Sequence, residues 1–292
     1  MDNKISISAV VVLYNYDVHT VTKNFEYLIE QVDEIVFVDN SEDGLFREIP
    51  FFNRKVNSTF ISNSTNLGIA KAQNLGAKSA LDNGAEYIIF FDQDSFINSE
   101  FSVSKLVTSF QKLLNRGVSV AAVSPLIINS ITKEAYINKY KNGNDSSLRQ
   151  LVKCISSGKM VSKESFTKVG MMRDELFIDL VDFDWCWRAN SLGFAIYQDT
   201  DVTLTHSIGK PTKSILGFNF NESADFRYYY IYRNWIYLLR FKHVPLLAKI
   251  KFMVGVFYKL PVIYVLKGFS KEFLLSSISG MKDGLLGRMG KR

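Results

Sequence analysis

Two aspartates, Asp92 and Asp94, follow a run of apolar residues at positions 87–91 and are separated by a single glutamine. Two carboxylates at this spacing, where a strand ends and the chain turns, can both face one divalent cation and the phosphate oxygens of a ligand. The same pattern also occurs by chance in solvated loops. The apolar run directly before it favours the functional interpretation, a cation site at the end of a buried strand.

A second acidic group lies at positions 177–188, where three aspartates stand among bulky apolar residues. A carboxylate that is buried near other carboxylates has a raised pKa, which is what a general base needs near neutral pH. Asp182 is the candidate base, and Asp179 is its rival. Asp184 has an ordinary alternative role as an acid in the first turn of a helix, paired with Arg188 one turn later.

His206 follows a short apolar segment that predicts a strand at 202–204. A histidine at a strand end can bind a metal or a diphosphate, although an isolated histidine is also often structural. Carboxylate ligands suit Mg²⁺ and Mn²⁺ alike, so the residues leave both ions open.

The elements that must position these residues alternate in a regular way. Apolar runs at 10–13, 34–38 and 87–91 each end abruptly in polar residues, and helix-like stretches lie between them. This alternation predicts an α/β fold with a mostly parallel central sheet. Ligands of such sheets lie just beyond the carboxyl ends of the strands, so the three polar ends predict one site. Its residues are Tyr14 and Asn15, Asp39 and Asn40, and Asp92, Gln93 and Asp94.

A segment rich in small residues, 66–76, lies between the second and third runs. Small residues at the start of a helix let the backbone approach a ligand closely, but they also allow tight packing of a helix on a sheet. No G-x-G-x-x-G pattern follows the first strand, so a dinucleotide-binding fold lacks its main signature. Residues 139–150 are polar and predict a surface loop near the site.

The net charge of +6 is unevenly distributed along the 292 residues. From residue 227 onwards there are 13 Lys or Arg against 2 Asp or Glu, among many aromatic residues. We therefore divide the chain into a catalytic domain, 1–217, and a basic helical extension, 218–292. Its most apolar stretch is interrupted by Lys259 and Pro261, and falls short of the roughly 20 apolar residues of a membrane span. The extension predicts amphipathic helices on a membrane surface, or a helical cap with a solvated basic face.

Several other classes of protein are disfavoured. Two distant cysteines, Cys154 and Cys186, argue against a disulfide framework or a zinc ribbon and favour the cytoplasm. The apolar residues 5–13 are better interpreted as a strand than as a signal peptide. Nucleic-acid binding is a remote alternative for the basic extension, because no recognition motif accompanies it. A hydrolase would lack both G-x-S-x-G and a Cys-His arrangement.

Together these segments resemble the inverting glycosyltransferases of family 2, and most closely their bacterial rhamnosyltransferase branch. The resemblance covers roughly residues 5–240. It rests on Asn-Leu-Gly-Ile-Ala at 66–70, Phe-Asp-Gln-Asp-Ser at 91–95, Ser-Ser-Gly at 156–158, the acidic segment 177–189 and Arg-Tyr-Tyr-Tyr-Ile-Tyr-Arg-Asn at 227–234. Asp184 replaces a usual Glu, and Ser156 a usual Thr. The resemblance implies a GT-A fold, a Rossmann-like central sheet flanked by helices, with the helical extension added to it.

The resemblance also implies roles for individual residues. Asp182 would be the catalytic base, and Asp94 and His206 would hold the cation. The nucleotide-sugar donor would be bound by Tyr14, Asn15, Asp39, Asn66, Gly68, Asn74, Asp92 and Gln93. The acceptor would be contacted by Ser157, Gly158, Asp179 and Trp185. Arg227 and Arg233 would either clamp the diphosphate, because guanidinium groups suit phosphate oxygens, or face acidic lipid.

The function implied by the resemblance is an inverting transfer of L-rhamnose from TDP-L-rhamnose to a saccharide acceptor, with UDP-galactofuranose as the second choice of donor. The acceptor would be lipid-linked, as in the assembly of bacterial surface polysaccharides such as O-antigen. The enzyme would lie on the cytoplasmic face of the inner membrane, or otherwise in the cytoplasm, and the apolar extension leaves a homodimer open. An inactive sugar-binding module is disfavoured because Asp94, Asp182 and His206 are all present.

Overall fold

The computed structural model describes residues 5–42, 49, 56–136, 147–206, 211–215, 218–221 and 223–292. For 211–215 and 218–221 it describes the backbone alone. Most of the segment predicted as a polar surface loop, 139–146, lies outside the described residues. So do residues 207–209, which follow His206, and the domain boundary at 216–217.

A single large sheet forms the centre of the described chain. Its nine described strands are β1 Ile7–Leu13, β2 Glu34–Asp39, β3 Asn57–Ser62, β4 Tyr87–Asp92, β5 Ser95–Phe96, β6 Val120–Asn129, β7 Leu148–Leu151, β8 Lys159–Ser162 and β9 Ala195–His206. Two further strands, β10 Pro211–Ile215 and β11 Phe218–Asn221, form a separate hairpin. Eight of the nine strands lie side by side in the order β3-β2-β1-β4-β8-β6-β9-β5, and the ninth, β7, pairs with β9. Strands β1 to β4 are parallel, β8 is antiparallel to both neighbours, and β6 and β9 are parallel.

Helices cover both faces of the sheet. They are α1 Val18–Phe25, α2 Ile69–Asp82, α3 Val103–Asn115, α4 Lys163–Val169, α5 Val181–Ser191, α6 Asp225–Leu238, α7 Leu246–Val254, α8 Leu260–Leu266 and α9 Lys271–Leu286, with a π-helical turn Gly255–Lys259 between α7 and α8. Apolar residues of α2, α4 and α5 pack on one face, and those of α1 and α3 pack on the other. The central strands are nearly continuous apolar runs because both of their faces are covered. The predicted α/β class is confirmed.

The three predicted strand ends meet at one edge, because β2, β1 and β4 are neighbours in the sheet. Two boundaries predicted from the sequence were wrong. The strand expected at 202–204 is the end of the much longer β9, which begins at Ala195. Residues 148–150, expected in a loop, belong to β7, where pairing with β9 satisfies their backbone groups.

The C-terminal helices pack closely on one another. A Cβ atom at Gly280 of α9 would lie 2.2 Å from the carbonyl oxygen of Tyr229, and one at Gly284 would lie 2.4 Å from that of Arg233. The two glycines therefore let the backbones of α9 and α6 touch. Trp235 of α6 stacks on Phe252 of α7 with ring centroids 5.6 Å apart. Among the described helices, none is long and apolar enough to cross a membrane.

Candidate active site

Three side chains at neighbouring strand ends form a compact group of potential metal ligands. Asp92 ends β4, Asp94 lies two residues later, and His206 ends β9. Ser95 of β5 pairs with His206, which brings the imidazole next to the Asp-Gln-Asp turn. Nδ1 of His206 lies 3.5 Å from Oδ1 of Asp94, and its Nε2 lies 4.0 Å from Oδ2 of Asp92. One ligand atom from each residue lies within 4.8 Å of the other two.

The surroundings of this group suit a divalent cation. His206 is 9% exposed, yet its Nδ1 has no hydrogen-bond partner among the described residues. Burial raises the pKa of Asp94; His206 opposes that rise, and Asp92 adds to it. A cation would satisfy the imidazole nitrogen and stabilise both carboxylates in their ionised form. The three residues therefore fit a divalent cation.

A cavity of about 530 Å³ opens beside the group. Its lining is mixed: apolar residues such as Ile231 and Trp235 of α6 lie beside polar ones, which are Gln73 of α2, Asp92, Ser156, Asp179, Asp182 of α5 and Arg227 of α6. A cavity of this size can hold a small organic ligand. Because Asp92 belongs to both the cavity and the metal-ligand group, a ligand in the cavity would lie next to the cation.

Asp182 is the one carboxylate of the acidic segment with the properties of a base. Burial raises its pKa to about 6; Lys159 opposes the rise, Asp92 adds to it, and Lys153 opposes it more weakly. The backbone N–H of Phe183 donates to its Oδ1 over 2.9 Å, which favours the charged form. A carboxylate with this pKa is ionised at neutral pH and still has appreciable basicity, as general-base catalysis requires.

The other two aspartates of the segment are already paired. Asp179 accepts two hydrogen bonds from the guanidinium of Arg227, at 3.1 and 2.8 Å. Asp184 is fully buried, and its carboxylate contacts three basic side chains, Arg173, Arg188 and His243. Burial alone would raise the pKa of Asp184, but these partners, His243 first, hold it below its usual range. The structure thus favours the ordinary interpretation of Asp184 as a structural acid.

The loop that leads into α5 has a strained backbone. Three residues other than glycine have left-handed φ angles, Phe177 at 61°, Asp179 at 69° and Leu180 at 65°. The N–H of Ile178 donates to the carbonyl of Leu176 over 2.7 Å, which closes a turn around a single residue. Such conformations cost about 1–3 kcal/mol each and persist only where the surroundings impose them.

Helix α6 imposes this conformation. Nδ2 of Asn234 donates to the carbonyls of Leu176, Ile178 and Asp179 at 3.1, 2.7 and 2.9 Å. Nη2 of Arg233 donates to the same Leu176 carbonyl over 2.9 Å. Both side chains are completely buried. The helix therefore fixes the loop that carries Asp179 and leads into Asp182.

The ends of β1 and β2 form the other half of the site. The N–H of Tyr14 donates to Oε1 of Gln93 over 2.7 Å, which joins the end of β1 to the Asp-Gln-Asp turn. The N–H of Asn15 donates to Oγ of Ser41 over 2.8 Å, and Oδ1 of Asp39 accepts from the N–H of Ser41 over 2.9 Å. The residues expected to bind one ligand from β1, β2 and β4 therefore share one edge of the sheet.

Comparison with known proteins decides the family. Residues 8–170 match the family "Glycosyl transferase family 2". The chain is 36% identical to the dTDP-rhamnosyl transferase RfbF of Shigella flexneri, over 98% of this chain and 97% of that protein. The chain belongs to glycosyltransferase family 2. This glycosyltransferase is also 23% identical to the low-salt glycan biosynthesis hexosyltransferase Agl10 of Haloferax volcanii, over 68% of this chain and 66% of that protein.

The fold of the transferase is similar to that of a solved glycosyltransferase, GalNAc-T7 with UDP, GalNAc and Mn²⁺. The TM-score is 0.57 and the identity is 16%, over 75% of this chain and 45% of that chain. This similarity concerns the fold alone, and with the family match it confirms the expected GT-A fold.

Two residues of segment 66–76 serve packing in this glycosyltransferase. Gly68, with φ at 84°, precedes α2, and a Cβ atom there would lie 2.5 Å from the ring of Phe177. Asn74 is buried and bonds both the N–H and the carbonyl of Met172, at 2.8 and 2.9 Å. In the structure Gly68 and Asn74 hold α2 against the loop that follows α4, and their contact with the donor stays a prediction. Asn66 stays at the site, with its Oδ1 accepting from the N–H of Gly68 over 2.9 Å.

Two further residues with expected ligand contacts are completely buried. The guanidinium of Arg233 donates to backbone carbonyls of the loop. Trp185 belongs to the core, and its Nε1 donates to the carbonyl of Gly170 over 2.9 Å. Their expected contacts with the diphosphate or lipid and with the acceptor stay predictions.

Ser157 and Gly158 also act behind the cavity surface. Ser157 is fully buried, and its Oγ donates to Oδ2 of Asp92 over 2.7 Å. A Cβ atom at Gly158 would lie 2.6 Å from the ring of Pro125. Ser157 thus orients Asp92, and Gly158 permits the close packing that places Ser157 there; the expected contact of both residues with an acceptor stays a prediction.

Three residues of the site are not predicted by the sequence patterns. Asn234 lies in the aromatic segment 227–234, next to Arg233, whose charge is the stronger signal for a ligand contact. Gln73 lies in segment 66–76, whose small residues are its most distinctive feature. Lys159 is fully buried, and its Nζ lies 4.9 Å from the ring of Trp185 without a hydrogen-bond partner among the described residues. A lysine beginning an otherwise apolar strand was the available signal.

Proposed function

We propose that this glycosyltransferase transfers L-rhamnose from dTDP-L-rhamnose to a hydroxyl of a saccharide acceptor, with inversion at the anomeric carbon. The identity of 36% with RfbF, over nearly the whole of both chains, supports the donor. The observation that carries the reaction class is the position of Asp182, which lines the same cavity as Asp92 of the metal-ligand group.

In the proposed reaction Asp182 takes the proton of the acceptor hydroxyl while that oxygen forms a bond to the anomeric carbon. The bond from this carbon to dTDP breaks in the same step, and its electron pair leaves with the diphosphate. Attack from the opposite face inverts the configuration. A bound divalent cation, Mg²⁺ or Mn²⁺, supplies charge stabilisation for the departing diphosphate. Asp94 and His206 hold it, and Ser157 keeps the carboxylate of Asp92 oriented towards the donor.

The nucleoside of the donor is proposed to lie at the ends of β1 and β2. Tyr14 is 41% exposed there and can cover a base, and the carboxylate of Asp39 can accept from the N–H groups of that base. The amide oxygen of Asn66 already accepts from Gly68 and Asn40, so Asn66 would contribute its amide N–H₂. Gln93 fixes the backbone of Tyr14 over 2.7 Å, which positions that side chain. Arg227 lies in the cavity and can approach the diphosphate, although it is bonded to Asp179.

The test is release of nucleoside diphosphate from a panel of donors with Mg²⁺, Mn²⁺ or a chelator. The panel contains dTDP-L-rhamnose, UDP-galactofuranose, UDP-glucose and GDP-mannose, because slow hydrolysis needs no acceptor. We expect cation-dependent release from dTDP-L-rhamnose alone, and none from the Asp94→Ala variant. Release from another donor would replace the sugar assignment. If no donor bound in calorimetry with either cation, the proposed function would be wrong.

We also propose that the acceptor is lipid-linked and that α7 and α8 rest on an anionic membrane surface. Three apolar side chains of this region are more than 70% exposed, Leu246, Leu247 and Phe257. Lys249, Lys251 and Lys259 lie in the same helical stretch. Each basic residue near anionic lipid contributes about 1 kcal/mol, and buried apolar side chains add to this. Both terms suit an enzyme that works peripherally on the cytoplasmic face of the inner membrane.

Vesicle flotation tests this surface. Wild type should float with anionic vesicles and less with neutral ones, and a Leu247→Ser, Phe257→Ser double variant should stay in solution. Leu192→Ser is the matched control, because Leu192 is 56% exposed outside the C-terminal helices. If the wild type did not float and instead sedimented as a dimer that the double variant disrupted, the surface would be a subunit interface.

A further inference from the structure

Gln73 is buried at the cavity without the hydrogen bonding that buried amides normally have. Its side chain is 1% exposed, and it lines the cavity together with Asp92 and Asp182. Its Oε1 has no hydrogen-bond partner among the described residues. A buried oxygen without a donor costs folding free energy, and the large majority of buried side-chain polar atoms avoid this cost. The position therefore calls for a partner that arrives with a ligand.

A second buried glutamine shows the usual arrangement. Gln198 in β9 is completely buried, and its Nε2 donates to the carbonyl of Pro125 over 3.1 Å. It lines no part of the cavity described above. Burial of a glutamine in this protein therefore does not by itself leave the amide unsatisfied, and the difference lies in the cavity that Gln73 faces.

The other unsatisfied polar atoms of the described residues are also at this site. They are Oγ of Ser95, Nζ of Lys159 and Nδ1 of His206. Ser95 pairs with His206 beside the Asp-Gln-Asp turn. The positive charge of Lys159 lowers the pKa of Asp182. Unsatisfied groups are thus concentrated around the reacting atoms, as expected where a ligand completes the hydrogen bonding.

We propose that the amide of Gln73 binds a hydroxyl of a sugar in the cavity and helps to determine which sugar is accepted. This inference rests on the proposed function. A free Oε1 needs a donor, and phosphate oxygens of a diphosphate are acceptors, so the partner is a hydroxyl. Asp92 and Asp182, when ionised, also only accept, whereas the amide can both accept and donate. A sugar hydroxyl can therefore donate to a carboxylate of Asp92 or Asp182 and also accept from the amide of Gln73.

The test uses Gln73→Met, which keeps the length of the side chain and removes both hydrogen-bonding groups. We expect kcat/KM to fall about tenfold, the value of one hydrogen bond to a substrate. The Tm should stay the same or rise by roughly 2–4 °C, because an unsatisfied buried group is removed. Gln198→Met is the matched control: its Tm should fall, because the carbonyl of Pro125 loses its donor.

Two assays separate the donor sugar from the acceptor sugar. Hydrolysis of dTDP-L-rhamnose without acceptor reports the donor alone, and transfer reports both. A loss in both assays assigns the hydroxyl to the donor, and a deoxy donor that abolishes the difference between variant and wild type identifies it. A loss in transfer alone assigns it to the acceptor. Unchanged kcat/KM in both assays, or a Tm that falls together with activity, would overturn the inference. Inactive wild type would instead count against the proposed function.

Discussion

The side-chain amide of Asn234 donates a hydrogen bond of 2.9 Å to the backbone carbonyl of Asp179. The same nitrogen reaches the carbonyls of Leu176 and Ile178. One side chain of α6 thus holds three carbonyls of a strained loop, and this loop leads directly into the helix of Asp182. Helix α6 therefore fixes the loop beside the candidate base without itself supplying that base.

Replacing Asn234 should therefore affect turnover more than binding. In Asn234→Leu the carbonyls of Ile178 and Asp179 lose their side-chain donor, while that of Leu176 keeps Arg233. The loop relaxes, and Asp182 moves relative to the acceptor. A displacement of about 1 Å can lower a rate about 10²-fold, so we expect kcat to fall by roughly one to two orders of magnitude. Donor affinity, measured by calorimetry, should change by less than about threefold.

Asn83→Leu is the control for this variant. Nδ2 of Asn83 donates to Oε1 of Glu34 over 2.7 Å at the far end of α2. Its loss should lower the Tm while kcat stays close to wild type. Equal losses of kcat in both variants would mean that general destabilisation, not the position of the loop, causes the effect.

Asp182→Asn should nearly abolish transfer and leave donor binding in place. General-base catalysis contributes about 10²–10⁴-fold, and an amide cannot take the proton. Asp179→Asn should lose less, because Asp179 is bonded to Arg227 and is not free to act as a base. Stopped reactions with radiolabelled donor measure both variants. Near-normal transfer by Asp182→Asn, with a dead Asp179→Asn, would exchange the two roles.

The pH dependence of kcat/KM should report the ionisation of Asp182. Burial raises the pKa of Asp182 to about 6, so activity should fall about tenfold per pH unit below that value as the base becomes protonated. Lys159 opposes this rise, and Lys159→Met should therefore move the acid limb of the profile to higher pH. Lys153→Met should move it in the same direction but less, because Lys153 has the smaller effect. An acid limb that stays in place in Lys159→Met would remove Lys159 from the site.

Removal of the cation should abolish activity reversibly. Chelated wild type should regain its rate with Mg²⁺ or Mn²⁺, whereas Asp94→Asn and His206→Gln should lose about 10²–10³-fold even at high cation concentration. His19→Gln serves as the control, because His19 is exposed on α1 and does not belong to the metal-ligand group. Full activity of chelated enzyme would contradict a catalytic cation.

The sequence predicted the position of the site where an apolar run that forms a strand ends in residues able to bind a ligand. Apolar runs that stop at Asp39 and Asp92 predicted neighbouring strand ends, because parallel strands bring their carboxyl ends to one edge. Asp94 and His206, predicted to hold the cation, lie together with Asp92, since both strands end in residues of suitable type; their role as metal ligands stays a prediction. The roles of the donor and acceptor residues that remain at this edge stay predictions.

The side of a helix that faces a cavity could not be predicted from residue type. Arg227 and Arg233 are six residues apart on α6, which is about 240° around the helix axis at 100° per residue. Arg227 faces the cavity, and Arg233 faces the carbonyls of the loop. Trp185 lies only three residues from Asp182 but points one layer deeper, into the core. Both distinctions depend on how the helices are docked, and a single sequence does not specify the docking.

The contact between α9 and α6 has a consequence for engineering and for evolutionary drift. A methyl group at Gly280 would meet the carbonyl of Tyr229 at 2.2 Å, so the two helices would have to separate. Asn234 would then move with α6. A single methyl group added at Gly280, which does not line the cavity, can therefore abolish sugar transfer. A chimaera that borrows its last helix from a relative will inherit a working active site only if that helix brings residues as small as these glycines.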